Sequence, residues 1–392
     1  MSLSSPLRII ATVALVITVG LSCPERQQIL VGVDHPSTGS ASIAPPAGLQ
    51  VEQVPQFVHF GFDDNAISGR EDSGTSGGLG FVTDLFNGKQ NPAGEGNLRN
   101  YDGLPARFSF YVVTRNIEQP DIDAPEHVKR QWRAAVDAGH EIGLHTHNHP
   151  HGTDYTADQW LAEIADCRSW LTKPFAAEKA AEEHIGIGME AVDLVGFRAP
   201  YLEYGKPLFA ALRGAGITYD CSIQEGFEDG FDGTNLVWPY RIAPSDGETA
   251  PLWEIPSYIL VVPPDEKCER YGVPPGLRSR LAMVQDYFKP SDGKITGFDW
   301  NLWVEFGMTR PEVVATLKYS LDLRLAGNRA PFTFGTHSDI YSDQYPEVLP
   351  NSTVADRQQA LAEFLEYALS KPEARVVSAK QILDWVRAPV SL

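Results

Sequence analysis

Four histidines stand at every second position of the segment EIGLHTHNHPHG, residues 141–152: His145, His147, His149 and His151. Imidazole is among the commonest protein ligands of zinc and related metals. This density is high for a chain with ten histidines in all. A solvated histidine-rich loop is the alternative interpretation. A catalytic metal site needs a further ligand, usually a carboxylate, and an open coordination position.

Other residues able to do chemistry follow separate apolar runs, each where a predicted strand ends. Asp63 and Asp64 follow one run, residues 198–201 (Arg-Ala-Pro-Tyr) follow a second, and His337 follows a third. Carboxyl ends of parallel barrel strands meet at one face, so we expect these side chains to converge with the histidines. One aspartate can then bind a metal while its neighbour acts as base on a water molecule. An arginine would keep that base ionised and an imidazole would protonate the leaving group, which predicts metal-assisted hydrolysis.

The elements that must position these residues alternate between short apolar runs and helical patterns, as in βα units around a parallel sheet. The predicted strands are 57–62, 108–113, 141–144, 194–197, 217–219, 252–260, 332–334 and 375–377, and the predicted helices are 125–138, 206–213, 309–326, 354–369 and 378–386. Pro256 predicts an edge or interrupted strand. The expected fold class is α/β, a distorted (β/α)7-8 barrel, in which the long stretches 66–104 and 224–249 are insertions that shape a substrate cleft.

The N-terminus has the pattern of an export signal. Arg8 precedes an apolar run that is too short to span a bilayer comfortably, which predicts a signal peptide at residues 1–22. Gly20 and Ser22 are small, so we expect cleavage before Cys23. Lipid attachment at Cys23 is the less favoured alternative, because a lipoprotein signal usually has Leu where Gly20 stands. The expected location is secreted or in the cell envelope, with no integral membrane span after cleavage.

Composition limits the partners and the domain organisation. The net charge of −19 argues against nucleic acid or an anionic membrane surface as a partner. Residues 23–55 are rich in Pro, Gly and Ser and predict a linker, and residues 56–389 predict a single catalytic domain. Among the four cysteines of an exported chain, Cys221 and Cys268 are the preferred disulfide pair. The oligomeric state is left open.

The chain resembles the polysaccharide deacetylases of carbohydrate esterase family four, which share the NodB homology domain. The family's first motif, TFDD, corresponds to GFDD at residues 61–64. Its second, a histidine separated by three residues from another, corresponds to residues 145–149. Its third, Arg-x-Pro-Tyr, is residues 198–201, and its fifth, Leu-x-His, corresponds to Gly-Thr-His at 335–337. The resemblance covers roughly residues 56–389.

The resemblance implies a role for each of seven residues and a metal, usually Zn2+ or another divalent transition metal such as Co2+. Asp63 is the general base, Asp64, His145 and His149 are the metal ligands, Arg198 orients the base, the backbone N–H of Tyr201 lies in the oxyanion hole, and His337 is the general acid.

Within the family, the chain is most similar to chitin deacetylases of the arthropod type, in segments 219–222, 252–256, 328–332 and 381–385. The implied activity is removal of N-acetyl groups from GlcNAc-containing polysaccharide or oligosaccharide, chitin or chitooligosaccharide first, with release of acetate. The alternatives are a peptidoglycan GlcNAc deacetylase, an acetylxylan esterase, and a carbohydrate-binding protein without turnover. Tyr201, Trp300 and Trp303 are candidates for stacking on sugar rings, although the two tryptophans are spaced equally well for a helix core.

The chain departs from the family pattern at several positions. Gly61 replaces Thr, Asn65 replaces Gly, and Gly335 replaces the Leu of the fifth motif, which predicts the loss of an apolar wall near the acetyl pocket. The fourth motif, an Asp-rich stretch with Trp that tunes the catalytic histidine, is not evident. Asp220 and Glu254 remain alternatives for that carboxylate.

Overall fold

The structure is a computed structural model that describes residues 41–119, 122–244, 250–347 and 349–392. The predicted signal peptide and Cys23 therefore lie outside the described residues. Within those ranges, no helix combines the length and the apolar character that a membrane crossing requires.

In the described residues, strands and α-helices alternate up to residue 220, and short strands then follow one another up to residue 261 before the remaining helices. The strands are β1 Gln56–Asp63, β2 Ser109–Val112, β3 Glu141–Leu144, β4 Gly196–Phe197, β5 Tyr219–Asp220, β6 Gln224–Glu225, β7 Tyr240–Arg241, β8 Trp253–Glu254, β9 Ser257–Tyr258, β10 Leu260–Val261, β11 Lys294–Ile295, β12 Phe332–His337 and β13 Ala374–Val376. The α-helices are α1 Gly78–Phe86, α2 Pro125–Asp137, α3 Ala157–Thr172, α4 Lys206–Gly214, α5 Asp265–Cys268, α6 Leu277–Val284, α7 Arg310–Ala326, α8 Val354–Leu369 and α9 Ala379–Arg387.

The main sheet has the strand order β12-β1-β2-β3-β4-β5-β8-β7, and β13 also pairs with β1. Its pairings are parallel except that between β7 and β8, which is antiparallel. In the described part of the chain, the end strands β12 and β7 do not pair with each other. Shorter pairings join β10 to β11 and β6 to β9. The α/β class and the predicted distorted-barrel fold are confirmed.

Strand β1 lies between β12 and β2 and is buried along its whole length. Side chains of a strand alternate between its two faces. Phe60 and Phe62 pack into the main apolar cluster with the helices, whereas Gly61 and Asp63 face Arg198 inside the barrel. Burial on both faces explains why this strand appears in the sequence as a nearly continuous apolar run. It also places Asp63 at the inner end of the strand.

The predicted elements agree closely with the structure where the pattern was long. Helix α8 has the bounds predicted from the sequence, and the predicted run 252–260 is interrupted near Pro256, as expected, into β8, β9 and β10. The stretch 66–104 is less irregular than predicted, because it contains helix α1. Helix α3 was missed, although Thr156 and Gln159 form a capping box at its start.

The predicted disulfide between Cys221 and Cys268 is wrong. Both cysteines are free and buried, and they belong to different apolar clusters. Cys221 follows β5, and its Sγ lies 3.2 Å from Oη of Tyr111. Cys268 ends helix α5, and its Sγ lies 3.6 Å from the carbonyl oxygen of Pro263. Sequence spacing could not distinguish two thiols that occupy separate parts of the core.

Candidate active site

Adjacent parallel strands bring the predicted site residues to one face. Asp63 and His337 are register partners at the carboxyl ends of β1 and β12. Leu144 and Phe197 are register partners on β3 and β4, immediately before His145 and Arg198. Parallel strands that end in register deliver their following residues to the same edge. The convergence predicted from the sequence is therefore present.

Three side chains form a cluster with the donor set of a metal site. The candidate ligand atoms of Asp64, His145 and His149 all lie within 4.8 Å of one another. Oδ1 of Asp64 is 3.7 Å from Nε2 of His145 and 3.3 Å from Nε2 of His149. This oxygen is buried without a hydrogen-bond partner, an arrangement that is costly unless a cation binds there. Nδ1 of His145 donates to the carbonyl oxygen of Arg198 at 2.7 Å, which leaves Nε2 unprotonated and available to a metal.

The protonation states of these three groups suit metal binding. Burial lowers the pKa of His145 to about 3, and burial also lowers the pKa of His149. Burial alone would raise the pKa of Asp64, but the neighbouring His149, His337 and His145 outweigh it and lower that pKa. The cluster therefore presents two neutral imidazoles and one carboxylate, which are the forms that coordinate a metal.

The turn after β1 explains how Asn65 replaces glycine. Asp64 and Asn65 have φ values of 64° and 65°, in the left-handed region. Asparagine adopts this region more readily than most residues. The Asn65 amide also donates to the carbonyl oxygens of Phe62 at 2.8 Å and Tyr111 at 2.9 Å. The substitution therefore keeps the turn that directs Asp64 toward the histidines.

The other two histidines of the loop separate from the ligand pair. His147 turns to Glu118, with Nε2 2.9 Å from Oε2. Glu163 of α3 accepts hydrogen bonds from the backbone N–H groups of His147 at 3.0 Å and Asn148 at 2.9 Å. His149 itself has a φ of 54°, so the chain changes direction at that ligand. The contacts of His147 therefore stabilise the loop, and His147 does not belong to the candidate ligand set of Asp64, His145 and His149.

Asp63 and Arg198 form a buried ion pair next to this cluster. Nη1 of Arg198 donates to Oδ1 of Asp63 at 2.6 Å, and both side chains are nearly inaccessible to solvent. Burial raises the pKa of Asp63 to about 6, although the charge of Arg198 opposes that rise. A Cβ atom at Gly61 would lie 2.8 Å from Nη2 of Arg198. The absence of a side chain at Gly61 therefore leaves room for the guanidinium.

His337 is held by a carboxylate that the sequence had not revealed. Its Nδ1 lies 2.8 Å from Oδ1 of Asp299, which is fully buried. Oδ2 of Asp299 accepts the backbone N–H of His337 at 2.9 Å and the hydroxyl of Thr336 at 2.6 Å. Burial lowers the pKa of His337, but Asp299, Asp64 and Asp63 together raise it to about 10. The Nε2 atom lies 4.0 Å from Oδ2 of Asp64, so His337 faces the metal cluster.

The sequence offered Asp220 and Glu254 as partners of His337, and neither is the residue that fills this role. They are register partners on β5 and β8. Oδ1 of Asp220 accepts the hydroxyl of Ser222 at 2.7 Å, and Oε1 of Glu254 accepts the backbone N–H of Ile223 at 3.0 Å. Asp220 and Glu254 therefore bond to groups that follow β5, and the carboxylate that bonds to His337 is that of Asp299.

Asp299 reaches His337 through a segment that lies along the free edge of β12. The N–H of Gly335 donates to the carbonyl oxygen of Gly297 at 2.8 Å, and Phe298 forms an isolated parallel bridge with Gly335. The segment forms no regular strand at that point, so the apolar pattern gave no reason to place it there. The Asp299-Trp300 dipeptide was the available signal, because the family's fourth motif combines Asp with Trp.

The apolar wall that Gly335 was expected to remove is supplied by Phe298. A Cβ atom at Gly335 would come within 2.3 Å of the Phe298 ring, so the ring occupies the space of the missing side chain. The ring centroid lies 6.4 Å from that of His337, and the Arg198 guanidinium carbon lies 5.3 Å from it. Phe298 therefore lies beside both His337 and Arg198.

The aromatic candidates for sugar binding differ in exposure. Trp303 is buried in the main apolar cluster, whereas Trp300 is only partly buried. The Tyr201 ring lies against the His149 ring with centroids 4.6 Å apart, and it is stacked on the His151 ring. Tyr201 has a φ of 56°. Tyr201 therefore lies next to the candidate metal ligands.

Comparison with known proteins supports the resemblance found in the sequence. The polysaccharide deacetylase family model matches residues 102–219, which include His145, His149, Arg198 and Tyr201. A putative polysaccharide deacetylase from Mycobacterium smegmatis is 17% identical, with 89% of this chain and 97% of that chain covered and a TM-score of 0.51. A probable polysaccharide deacetylase from Pseudomonas aeruginosa PAO1 (15% identity, 86% and 92% covered, TM-score 0.45) and Puue allantoinase (15%, 86% and 92%, 0.46) are also similar. Among curated protein sequences, none matches. The Mycobacterium structure supports the fold alone.

Proposed function

We propose that this chain, whose residues 102–219 match the polysaccharide deacetylase family, is a metal-dependent hydrolase that removes N-acetyl groups from GlcNAc polymers. Chitin or chitooligosaccharide is the proposed substrate. The observation that carries the proposal is the convergence of a carboxylate–arginine pair, a three-ligand cluster and a histidine–carboxylate pair at one barrel face. In this proposal the first supplies the general base, the second binds the metal ion and the third supplies the general acid of metal-assisted amide hydrolysis.

Asp64, His145 and His149 are the proposed ligands of Zn2+ or of another divalent transition metal such as Co2+. Two imidazoles and one carboxylate are the protein ligands of many catalytic zinc sites, which keep the remaining position open. When bound, the ion polarises the acetyl carbonyl group and lowers the pKa of a water molecule. The candidate donor atoms of these three residues lie within 4.8 Å of one another.

Asp63 is the proposed general base. Its pKa of about 6 leaves it largely ionised at neutral pH, so it can accept the proton of the attacking water. The bond from Nη1 of Arg198 holds one carboxylate oxygen, which leaves the other for the water. Arg198 is itself fixed over the Tyr111 ring, 4.3 Å from its centroid. The base is therefore oriented before substrate arrives.

His337 is the proposed general acid, and Tyr201 the proposed donor to the developing oxyanion. Asp299 holds Nδ1–H of His337, so Nε2 is directed toward Asp64 and the reacting group. A pKa near 10 keeps the imidazole protonated at neutral pH and able to protonate the leaving amine. The backbone N–H of Tyr201, which follows β4 beside the histidine loop, would stabilise negative charge on the carbonyl oxygen.

Acetate release from defined substrates tests this proposal. Purified enzyme is incubated with chitooligosaccharide, peptidoglycan and acetylxylan, before and after chelation and after return of Zn2+ or Co2+. We expect chelator-sensitive acetate from chitooligosaccharide and its loss in Asp63→Ala and Asp64→Asn. The absence of such acetate from every substrate would refute the enzyme, and acetate from acetylxylan alone would refute the chitin assignment.

We also propose that the protein is exported after removal of residues 1–22. The support is the short apolar run that follows Arg8 and the small residues before Cys23. Mass spectrometry of the protein from its host should find a mature N-terminus at Cys23. A diacylglycerol mass on Cys23 would favour the lipid-anchored alternative, and an intact Met1 in the host protein would contradict export by this signal.

A further inference from the structure

His151 has no role in the proposed reaction, yet its ring lies close to the reacting centre. The His151 and Tyr201 rings are parallel, with centroids 3.9 Å apart and an interplanar angle of 10°. The Tyr201 ring in turn contacts the ring of His149, with centroids 4.6 Å apart. A single ring therefore separates His151 from a proposed metal ligand.

The His151 ring is fixed and half exposed. Its side chain is 50% exposed although Tyr201 covers one face, so the exposure belongs to the opposite face and the edge. Nδ1 lies 2.9 Å from Oε1 of Glu203. Oε2 of Glu203 accepts the backbone N–H groups of Gly152 at 2.7 Å and Thr153 at 3.1 Å. Glu203 thus holds both the imidazole and the chain that follows it, and the exposed face is pre-organised.

We infer that the exposed face of His151 is a substrate subsite, on which a pyranose ring flanking the reacting sugar stacks. The inference rests on the proposed function. A flat ring held in place offers contact area to the C–H face of a pyranose at little entropic cost. The Glu203 carboxylate, whose side chain is 20% exposed, offers further acceptor positions to sugar hydroxyls at the rim. Of the two tryptophans suggested by the sequence, Trp303 is buried and Trp300 is only partly buried.

Two substrates separate this role from a purely structural one. The GlcNAc tetramer reaches the flanking subsite, whereas 4-nitrophenyl acetate does not. For His151→Ala, we expect kcat/KM to fall roughly threefold to tenfold more for the tetramer than for the small ester, mainly through KM, because aromatic stacking contributes on the order of 0.5–1.5 kcal/mol. His151→Phe keeps a flat ring and should recover most of the tetramer activity. His184→Ala is the matched control, since His184 is 72% exposed and pairs with Glu182 away from the site.

Each outcome bears on the subsite. Equal losses on the two substrates would show that His151 only positions Tyr201 and would overturn the inference, as would equal KM values for the tetramer in wild type and His151→Ala. Failure of the proposed function is a separate result, in which the wild type releases no acetate. In that case, calorimetric titration with the tetramer still tests the subsite. The subsite predicts that His151→Ala binds the tetramer more weakly than His184→Ala does, and equal affinities would overturn it.

Discussion

Two pairs of carboxyl groups stand at strand ends in this barrel, and they behave differently. Asp63 and Asp64 are neighbours in sequence at the end of β1, and their side chains diverge to separate partners. Asp220 and Glu254 are neighbours across β5 and β8, and both are fully buried. A position at the carboxyl end of a parallel strand is therefore common to both pairs and does not by itself make a catalytic group.

The difference lies in the surrounding charges. Arg198 pairs with Asp63, and histidines surround Asp64. Burial raises the pKa of Asp220 to about 7 and raises the pKa of Glu254 well above its ordinary value, with a further contribution from Asp220. Two buried carboxyl groups without a cation between them retain a proton. The first pair is thus available for chemistry, and the second holds two strands together as a neutral or singly charged unit.

The largest expected effect is a loss of activity on substitution of Asp63, compared with substitution of Asp220 in the buried pair. Asp63→Asn removes the proposed base while keeping the side-chain size, so we expect kcat for acetate release to fall by about 10³, within the range for general-base catalysis. Asp220→Asn can still accept from Ser222 and can donate to Glu254. We expect its kcat to stay within about threefold of wild type, because no reacting group is lost.

Equal losses in the two variants would contradict the distinction between the pairs. Both variants need thermal unfolding midpoints close to that of the wild type before their rates are compared.

A second, smaller effect is expected at Asp299, which supplies a negative charge to His337. In Asp299→Asn the charge is lost, so the pKa of His337 falls below its value of about 10 and the alkaline limb of the kcat profile moves to lower pH. We expect kcat at neutral pH to fall by about 10², because His337, the proposed acid, loses its charged partner and is less fully protonated. Asp286→Asn, an exposed carboxylate nearby in sequence, is the control. An unchanged alkaline limb would refute the role of Asp299.

Much of the site could be predicted because its residues follow recognisable strands. Asp63, Asp64 and His145 each come directly after an apolar run, and parallel pairing brings such positions together without any knowledge of side-chain contacts. The spacing of the four histidines could not distinguish His147 and His151 from the proposed ligands, because all four stand at every second position. The left-handed backbone and the contacts with Glu118 and Glu203 distinguish them, and these are properties of the folded loop.

Asp299 could not be placed because its position depends on a contact distant in sequence. The bond from the N–H of Gly335 to Gly297 attaches this segment to β12, and no local periodicity encodes it. The same reasoning applies to Phe298, whose ring fills the space that Gly335 leaves. The sequence alone predicts an empty space at Gly335, whereas in the structure the ring of Phe298 fills that space.

A third prediction sharpens the comparison through stability. Because the pKa of Asp220 in the native chain is about 7, above its ordinary value of 3.8, the native chain holds a proton that the unfolded chain has released between those pH values. The contribution of the pair is therefore full below pH 4 and declines as pH rises to about 7. Glu254→Gln leaves Asp220 in place and removes the titration of Glu254, whose pKa burial and Asp220 raise well above its ordinary value of 4.5. The stability of this variant relative to wild type should therefore increase as pH rises above about 4.5.

Denaturant unfolding of the wild type and Glu254→Gln at several pH values measures this difference. Glu225, Tyr240, Tyr204 and Cys221 surround the pair and remain in both proteins, so their contributions cancel. A stability difference that does not depend on pH would show that Glu254 holds no proton in the native chain.

The smallest expected effect comes from crowding Phe298, which lies beside Arg198, the charged partner that Asp63 has and the buried pair lacks. In Gly335→Ala the new methyl group would overlap the Phe298 ring, which lies beside Arg198 and His337. We expect a loss of about 1–3 kcal/mol in stability from overpacking and a fall in kcat of about threefold to tenfold as the ring is displaced. Adding Phe298→Leu should restore part of both, because a smaller side chain accommodates the methyl group. A double variant no better than Gly335→Ala would show that Phe298 does not transmit the change to Arg198 and His337.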